Sequence, residues 1–444
     1  MRPGQCPDGI QARKDKKSPL FHNWTVSLGP GLVYILTTLG AGDIVSNATA
    51  GATFGYQLIW ALGMTLIFRF VWVNTSAKYV LVTGESLFTG YGRLGHWVVW
   101  VILISLLPLR HLYNLYVILI IGSSADLLFH LPTQWSPQIW TCFFTFVGFA
   151  MMFWGGYPVV ESFCKFLVGG MGASLLLAAL LSKPDPAAIL QGTFIATLPQ
   201  AQGLYSAVLI VMALIGAEVG STANLTYPYF IIEKGWKDAS YLKRQRFDLA
   251  FAIGCMFVMG GLLQIAAAGT IHPLGLEVRD ADDLARIFSE TQGAVGWAIF
   301  CLGLWGASFS TFVGANIGSA LIVTDVCRTF VPGLKRSVER EQEGYTTKND
   351  PIYRWTIIFW SFSPLYIIFT GVSPVWLVLT VSAFTVVLIP ILVISLLLIT
   401  NDKSLMGKYK NGWFTNSVLM ILVFIVLYFT YVNLLDWWGS LVST

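Results

Sequence analysis

The sequence predicts an all-α integral membrane protein of eleven transmembrane helices, built as two five-helix repeats of inverted topology with the eleventh helix appended. Three observations predict it. Of 444 residues, 55% are apolar and only 11% are charged, where a soluble globular chain carries roughly a quarter charged residues. Eleven apolar stretches are long enough to cross about 30 Å of hydrocarbon at about 1.5 Å per residue. The first and the sixth of these, five helices apart, carry the same kind of small polar cluster at mid-length.

The elements follow in order. Residues 1–28 are polar, carry Arg2, Arg13, Lys14, Lys16 and Lys17 without a cleavable signal pattern, and read as a cytoplasmic tail. The first repeat, 29–182, has its spans expected at 29–50, 57–82, 97–128, 138–155 and 162–182. Arg69 falls inside the second span, and Arg110 with His111 inside the third, where ionisable groups are rare. Glu161 and Lys165 near the start of the fifth are four residues apart and read as a pair on one helix face. The second repeat, 204–400, has spans expected at 204–232, 247–272, 296–325, 354–372 and 375–400, and the last helix at 413–438. Between the seventh and eighth, His272 to Thr291 reads as an acid-rich external loop with Glu277, Asp280, Asp282, Asp283 and Glu290. Asp126 and Asp325 end the third and eighth spans as solvated carboxylates. Trp24, Trp60, Trp97, Trp135, Trp437 and Trp438 lie near span ends as interfacial anchors.

With this division 22 of the 27 Lys and Arg residues fall on the side of the N-terminus and three (Lys183, Arg279, Arg286) on the other. That asymmetry predicts a multi-pass protein of the plasma or inner membrane with a cytoplasmic N-terminus and an extracytoplasmic C-terminus. The net charge of +4 is too small for a nucleic-acid surface. Six cysteines without CxxC or CxxH spacing read as inert thiols. No P-loop, GxSxG elbow or HExxH motif is present, so no enzyme and no resident cofactor is expected. The expected partners are the bilayer and a small ion or solute; monomer and homodimer both stay open.

The first cluster reads Thr37-Thr38-Leu39-Gly40-Ala41-Gly42-Asp43-Ile44-Val45-Ser46-Asn47 and the sixth Gly216-Ala217-Glu218-Val219-Gly220-Ser221-Thr222-Ala223-Asn224. Bare glycines weaken a helix by about 1 kcal/mol each, and a carboxylate at the bilayer centre costs roughly 2.5 to 3.5 kcal/mol on insertion scales. Small residues in membrane helices ordinarily serve close packing. Two such clusters with a carboxylate each, in matching places, instead mark the broken helices of a transporter binding site.

Several further segments carry a resemblance. Gly29-Pro30-Gly31, Tyr56-Gln57-Leu58-Ile59-Trp60, Val82-Thr83-Gly84, Gly306-Ala307-Ser308-Phe309-Ser310-Thr311 with Gly314, and the run from Ile389-Pro390 to Thr400-Asn401-Asp402-Lys403-Ser404-Leu405-Met406-Gly407 resemble the Nramp family of proton-coupled divalent-metal transporters, within the APC superfamily. The resemblance extends from Gly29 to about Asn416 and implies the LeuT-like inverted repeat. The functional positions depart from it, as in a divergent member. Gly40-Ala41-Gly42-Asp43 stands where the family has Asp-Pro-Gly-Asn, and Gly220-Ser221-Thr222 where it has Met-Pro-His. The family's helix-three acids fall on Asn114 and Val117, its helix-nine arginines near Ile357 and Ile358, and its glutamines near Val73 and Ala383. Losing acids and arginines together leaves no uncompensated buried charge and puts proton coupling by that route in doubt.

What remains for a cation is oxygen: the Asp43 and Glu218 carboxylates, carbonyls near Gly40 and Ala217, and the Thr222 hydroxyl. Such a set suits Mg²⁺, Mn²⁺ or Ca²⁺ as substrate. Asp43, at the family's Asn position, ranks first, with Glu218 as the second candidate metal ligand. Arg69, Arg110 and His111 are candidate pathway charges. The arginines pair with Asp43 and Glu218, or bind an anionic solute together with half-helix N-termini, or pair and snorkel elsewhere. His111 is a candidate proton carrier or a satisfied packing residue. The expected function is a secondary transporter moving a divalent or other small hard cation by alternating access through an oxygen-only site. A carrier of an organic or anionic solute, and a non-transporting sensor or receptor of the same fold, are the alternatives.

Overall fold

The computed structural model describes residues 34–35, 39–154, 157–200, 205–334 and 349–442, of which 157–168 and 433–442 are described by backbone alone. The polar tail, most of the first span ahead of its break, and the side chains of Glu161 and Lys165 lie outside the described residues. The helices of eight residues or more are α1 (Ala41–Phe54), α2 (Ile59–Thr83), α3 (Leu87–Leu94), α4 (His96–Leu128), α5 (Ser136–Trp154), α6 (Tyr157–Leu181) and α7 (Pro186–Phe194). They continue with α8 (Ala207–Glu218), α9 (Ala223–Glu233), α10 (Leu242–Thr270), α11 (Ala281–Phe330), α12 (Pro351–Phe362), α13 (Pro374–Thr385), α14 (Ile389–Asn401) and α15 (Trp413–Val442).

Among the described residues nine helical stretches are long and apolar enough to cross a membrane, and they coincide with the second to fourth and sixth to eleventh expected spans. The fifth span is α6, whose second half forms a bent pair with α7 at 115°. Of the first span, the 14 residues of α1 beyond the break are described.

Two groups of helices position the site. In one, α1 packs on α8 and α10, and α2 packs on α9 and α10. In the other, α11 packs along α4, α5, α6 and α12. The groups meet where α13 lies against α8, α1 and α4. The α8 to α13 approach needs a glycine, because a Cβ on Gly216 would fall 1.7 Å from the Ser382 carbonyl oxygen. Thr385 Oγ1 donates to the Gly216 carbonyl at 3.2 Å across the same seam.

Three local elements depart from the expected spans, each for a capping reason. The acid-rich segment before the eighth span is helical from Ala281 onward rather than a loop through Thr291. Asp280 Oδ1 accepts from the Asp282 and Asp283 amides at 3.0 and 3.1 Å, and Asp283 Oδ2 accepts back from the Asp280 amide at 3.3 Å. This reciprocal cap is worth about 1 kcal/mol and starts the helix about four turns before the apolar span expected at 296. The helix then bends at Gly293, whose φ is +63°. Likewise Ser86 caps α3 through the Thr89 amide at 3.1 Å, and Asp185 with Pro186 opens α7. Beyond α14, Asp402 accepts from the Ser404 amide at 2.7 Å and its hydroxyl at 2.6 Å, which holds that carboxyl below the usual carboxylate range. The described cysteines, Cys142, Cys255, Cys301 and Cys327, are free thiols.

Candidate functional site

The two breaks anticipated from sequence are both present and lie side by side. In the first, Leu39 still donates to the Ile35 carbonyl at 2.7 Å, Gly40 is extended (φ −117°, ψ −164°), and α1 begins at Ala41. In the second, α8 ends at Glu218 and α9 begins at Ala223. Ile215 O accepts from both the Val219 and Gly220 amides, at 2.7 and 3.1 Å. Asn224 Nδ2 reaches back to the Glu218 and Val219 carbonyls at 2.9 and 2.8 Å. One side-chain amide thus satisfies two of the four carbonyls that the end of α8 orphans. Ala217 stands in the last turn of α8, its Cβ 3.6 Å from where a Cβ on Gly42 would lie.

Asp43 occupies the first turn of α1 and is 3% exposed. Its Oδ2 accepts from the Gly40 amide at 3.3 Å, while its Oδ1 is buried with no hydrogen-bond partner. Its own carbonyl accepts from Asn47 Nδ2 at 2.8 Å, and Asn47 Oδ1 accepts from Gln264 Nε2 at 2.8 Å, which ties α1 to α10. A half-used carboxylate in a buried position is costly unless something completes its hydrogen bonding or its charge.

Glu218 is placed differently. It forms a fully buried ion pair with Arg69 Nη1. Arg69 Nε donates to the Tyr34 hydroxyl at 2.8 Å and to Asn224 Oδ1 at 3.1 Å, and the Tyr34 hydroxyl itself donates to Asn224 Oδ1. The guanidinium also sits 5.1 Å from the Tyr34 ring centre. This cluster joins α2, both halves of the sixth span and the segment ahead of the first break. Of the three readings of the arginines, structural pairing therefore describes Arg69 and Glu218. It does not extend to Arg110, which lies between α4, α11 and α12, bonded to Asn114 and Asn316 and to neither Asp43 nor Glu218.

Asp43 and Glu218 nonetheless line one narrow cavity, together with Leu39, Asn47, Met171, Met256, Met259 and Leu263. It offers about 10 Å³ for the centre of a water-sized sphere, roughly room for one water or one bare ion. Met171 comes from α6 and Met256 and Met259 from α10. Three methionines, Met171, Met256 and Met259, therefore line a site expected from the sequence to hold oxygen alone. A second set was also missed. A Cβ on Gly42 would lie 3.1 Å from the Tyr116 hydroxyl, 3.6 Å from the Ala217 Cβ and 3.8 Å from Ser382 Oγ. Both hydroxyls are buried without a hydrogen-bond partner. Tyr116 and Ser382 looked like packing residues of ordinary spans, and only their placement opposite Gly42 marks them.

The remaining candidates are placed as follows. The Gly40 carbonyl already accepts from the Ile44 amide at 3.1 Å and serves the first turn of α1. Thr222 heads α9 without capping it and is not among the residues lining the cavity. His111 bonds Ser363 Oγ at 3.0 Å and the Tyr366 hydroxyl at 3.3 Å and stacks on Tyr366, facing the segment after α12. Among the described residues no group of three or more His, Cys, Asp or Glu is arranged as a metal cluster.

Comparison with known proteins adds the following. A family model described as natural resistance-associated macrophage protein-like matches residues 31–436. The divalent metal cation transporter MntH of Bacillus subtilis strain 168 is 23% identical over 434 residues, covering 94% of this chain and 94% of the relative. The metal transporter nramp1 homolog of Dictyostelium discoideum is 24% identical over 445 residues, covering 94% of this chain and 75% of the relative. The Eremococcus coleocola manganese transporter, solved with an aromatic bis-isothiourea compound, superposes with a TM-score of 0.68 at 15% identity, covering 92% of this chain and 88% of that one. Mhp1, a nucleobase-cation-symport-1 family transporter in a closed conformation, superposes at 0.58 and 13% identity, covering 86% and 79%. At such identities the likeness speaks for the fold, which is the LeuT-like one.

Proposed function

The chain belongs to the Nramp family, and from that membership we propose that it is a secondary transporter moving a divalent metal ion by alternating access, with Asp43 as the principal ligand. Metal-ion transport is what its relatives MntH and the nramp1 homolog are named for. The single observation that carries the reading to this chain is the buried, unpartnered Oδ1 of Asp43 beside the two breaks. The Arg69 and Glu218 charges cancel in their pair, so Asp43 is left as the site's unbalanced charge and favours a cation. The Tyr116 and Ser382 hydroxyls are available as further oxygens, and the Ala217 carbonyl is the backbone candidate beside them.

The cargo we favour is Mn²⁺ or a softer ion. Carboxylate and carbonyl oxygens suit Mg²⁺, Ca²⁺ and Mn²⁺ alike, whereas a thioether turned in from any of the lining residues Met171, Met256 and Met259 would weigh against the first two. The metal is substrate, not a resident cofactor, and no chemical step follows. In the same proposal α1, α8 and α9 reorient against α4, α5, α11 and α12, residues 29–182 and 204–400 form the two repeats, and the 22 to 3 split of basic residues puts the N-terminus in the cytoplasm. An anionic solute at Arg69 is disfavoured, because Glu218 already neutralises it.

Calorimetry on the purified full-length chain tests the ligand. Saturable Mn²⁺ binding is expected, weakened at least about tenfold in Asp43→Ala, a loss of about 1.4 kcal/mol. Mn²⁺ flux into proteoliposomes separates a transporter from a sensor. Absent Mn²⁺ affinity, or binding and flux unchanged in Asp43→Ala, sinks the reading.

A further inference from the structure

We propose that the interface of α4, α11 and α12 holds a buried monovalent anion of halide size, bound by Arg110. Arg110 is a buried charge without a counter-charge among the described residues. Arg110 is 0% exposed, yet among the described residues no carboxylate lies within ion-pair distance of it, in contrast to Arg69, Arg93, Arg279, Arg286 and Arg328. Its neighbours are neutral. Nε donates to Asn316 Oδ1 at 3.3 Å, Nη2 donates to Asn114 Oδ1 at 2.7 Å and Asn316 Oδ1 at 2.9 Å, and the guanidinium sits 4.7 Å from the Tyr113 ring centre. Nη1 is buried with no acceptor.

What surrounds Arg110 is a surplus of donors. Asn316 Oδ1 also accepts from Asn114 Nδ2 at 2.9 Å, so three N–H groups fix the Asn316 amide with its oxygen toward Arg110. Its Nδ2 is thereby turned away, buried and without an acceptor. Ser319 Oγ lies one turn further along α11, and Trp360 Nε1 and Ser361 Oγ stand on α12, where the Trp360 carbonyl takes the other Asn114 Nδ2 bond at 3.0 Å. All three are buried without a partner. The indole and the amide nitrogen donate only, and each hydroxyl has a proton to give. Arg110 Nη1, Asn316 Nδ2, Trp360 Nε1, Ser319 Oγ and Ser361 Oγ thus leave five sets of unused protons at the interface of α4, α11 and α12, where no carboxylate pairs with Arg110 among the described residues. Neutral water supplies lone pairs but no charge. A halide supplies both, and a single charge asks for one monovalent ion.

The test uses the full-length chain in detergent at constant ionic strength, with chloride exchanged for gluconate, which is too large for such an interface. The expected unfolding temperature falls by about 3 to 5 °C in gluconate and recovers with bromide in the millimolar range. Asn316→Asp builds a carboxylate beside Arg110 and is expected to be as stable in gluconate as in chloride; Arg110→Gln removes the charge and is expected to lose the anion dependence too. If Arg110→Gln does not fold, Asn316→Asp carries the test alone. Equal stability of the unsubstituted protein in the two salts, meaning that water alone fills the interface, overturns the proposal. So does Asn316→Asp that keeps the full anion dependence, since the anion then binds elsewhere.

Discussion

Arg69 and Arg110 are both completely buried, and the two regions that hold them solve the same electrostatic problem in opposite ways. Around Arg69 the chain supplies its own counter-ion, Glu218, and knits the pair to Tyr34 and Asn224. The partners come from both broken spans, so the charge is balanced inside the group of helices that bears the candidate site. Around Arg110 the described residues supply the Tyr113 ring, amides, hydroxyls and an indole from α4, α11 and α12, with no carboxylate at ion-pair distance. The comparison teaches that a buried arginine need not mark an anionic substrate. One is closed off internally, and the other lies away from the breaks, which leaves Asp43 as the residue proposed to define what the site accepts.

The sharpest way to break this contrast is to remove the internal counter-ion. Glu218→Gln leaves Arg69 buried without a carboxylate and is expected to cost about 3 to 5 kcal/mol in unfolding free energy. Glu218→Gln combined with Arg69→Met is expected to recover most of it; a double variant as unstable as the single one would show that the pair is not what holds the region. A smaller loss is expected from Asn224→Ala, about 1 to 3 kcal/mol in the same measurement, because two orphaned carbonyls of the α8 break lose the amide that serves them and Arg69 Nε keeps only the Tyr34 hydroxyl. Asn224→Asp returns only the acceptor and should recover less than the native residue. The smallest effect belongs to an exposed pair used as a control. Arg93 Nε meets Glu85 Oε2 at 3.1 Å with both side chains solvated, and Glu85→Gln is expected to change stability by no more than about 1 kcal/mol.

The long spans were legible because about twenty consecutive apolar residues have few other uses, and each of the nine described stretches falls where an apolar run stands. The capped helix starts at Ser86, Asp185 and Asp280 were written in the sequence as well, but they precede short or acidic segments that hydropathy treats as loops. At the site, Asp43 stood out because a carboxylate at mid-span has no bland use. Met171, Met256, Tyr116 and Ser382 did not, since each is a common residue of an apolar helix and becomes notable only when the fold brings it opposite Asp43 or Gly42. Asn224 was read as part of a polar cluster, yet its two-way role between carbonyls and guanidinium needs coordinates to see.

The neutral Arg69 and Glu218 pair has an electrical consequence. On the proposed reading, with those charges cancelled and Asp43 ionised, the reorienting core would carry one negative charge when empty and one positive charge when a divalent ion is bound. Both reorientation steps then feel the transmembrane voltage, in opposite senses, at about 2.3 kcal/mol per elementary charge for every 100 mV. A membrane negative inside draws the loaded core inward and pushes the empty one back out. On that reading, voltage alone would drive accumulation and no second ion would be required.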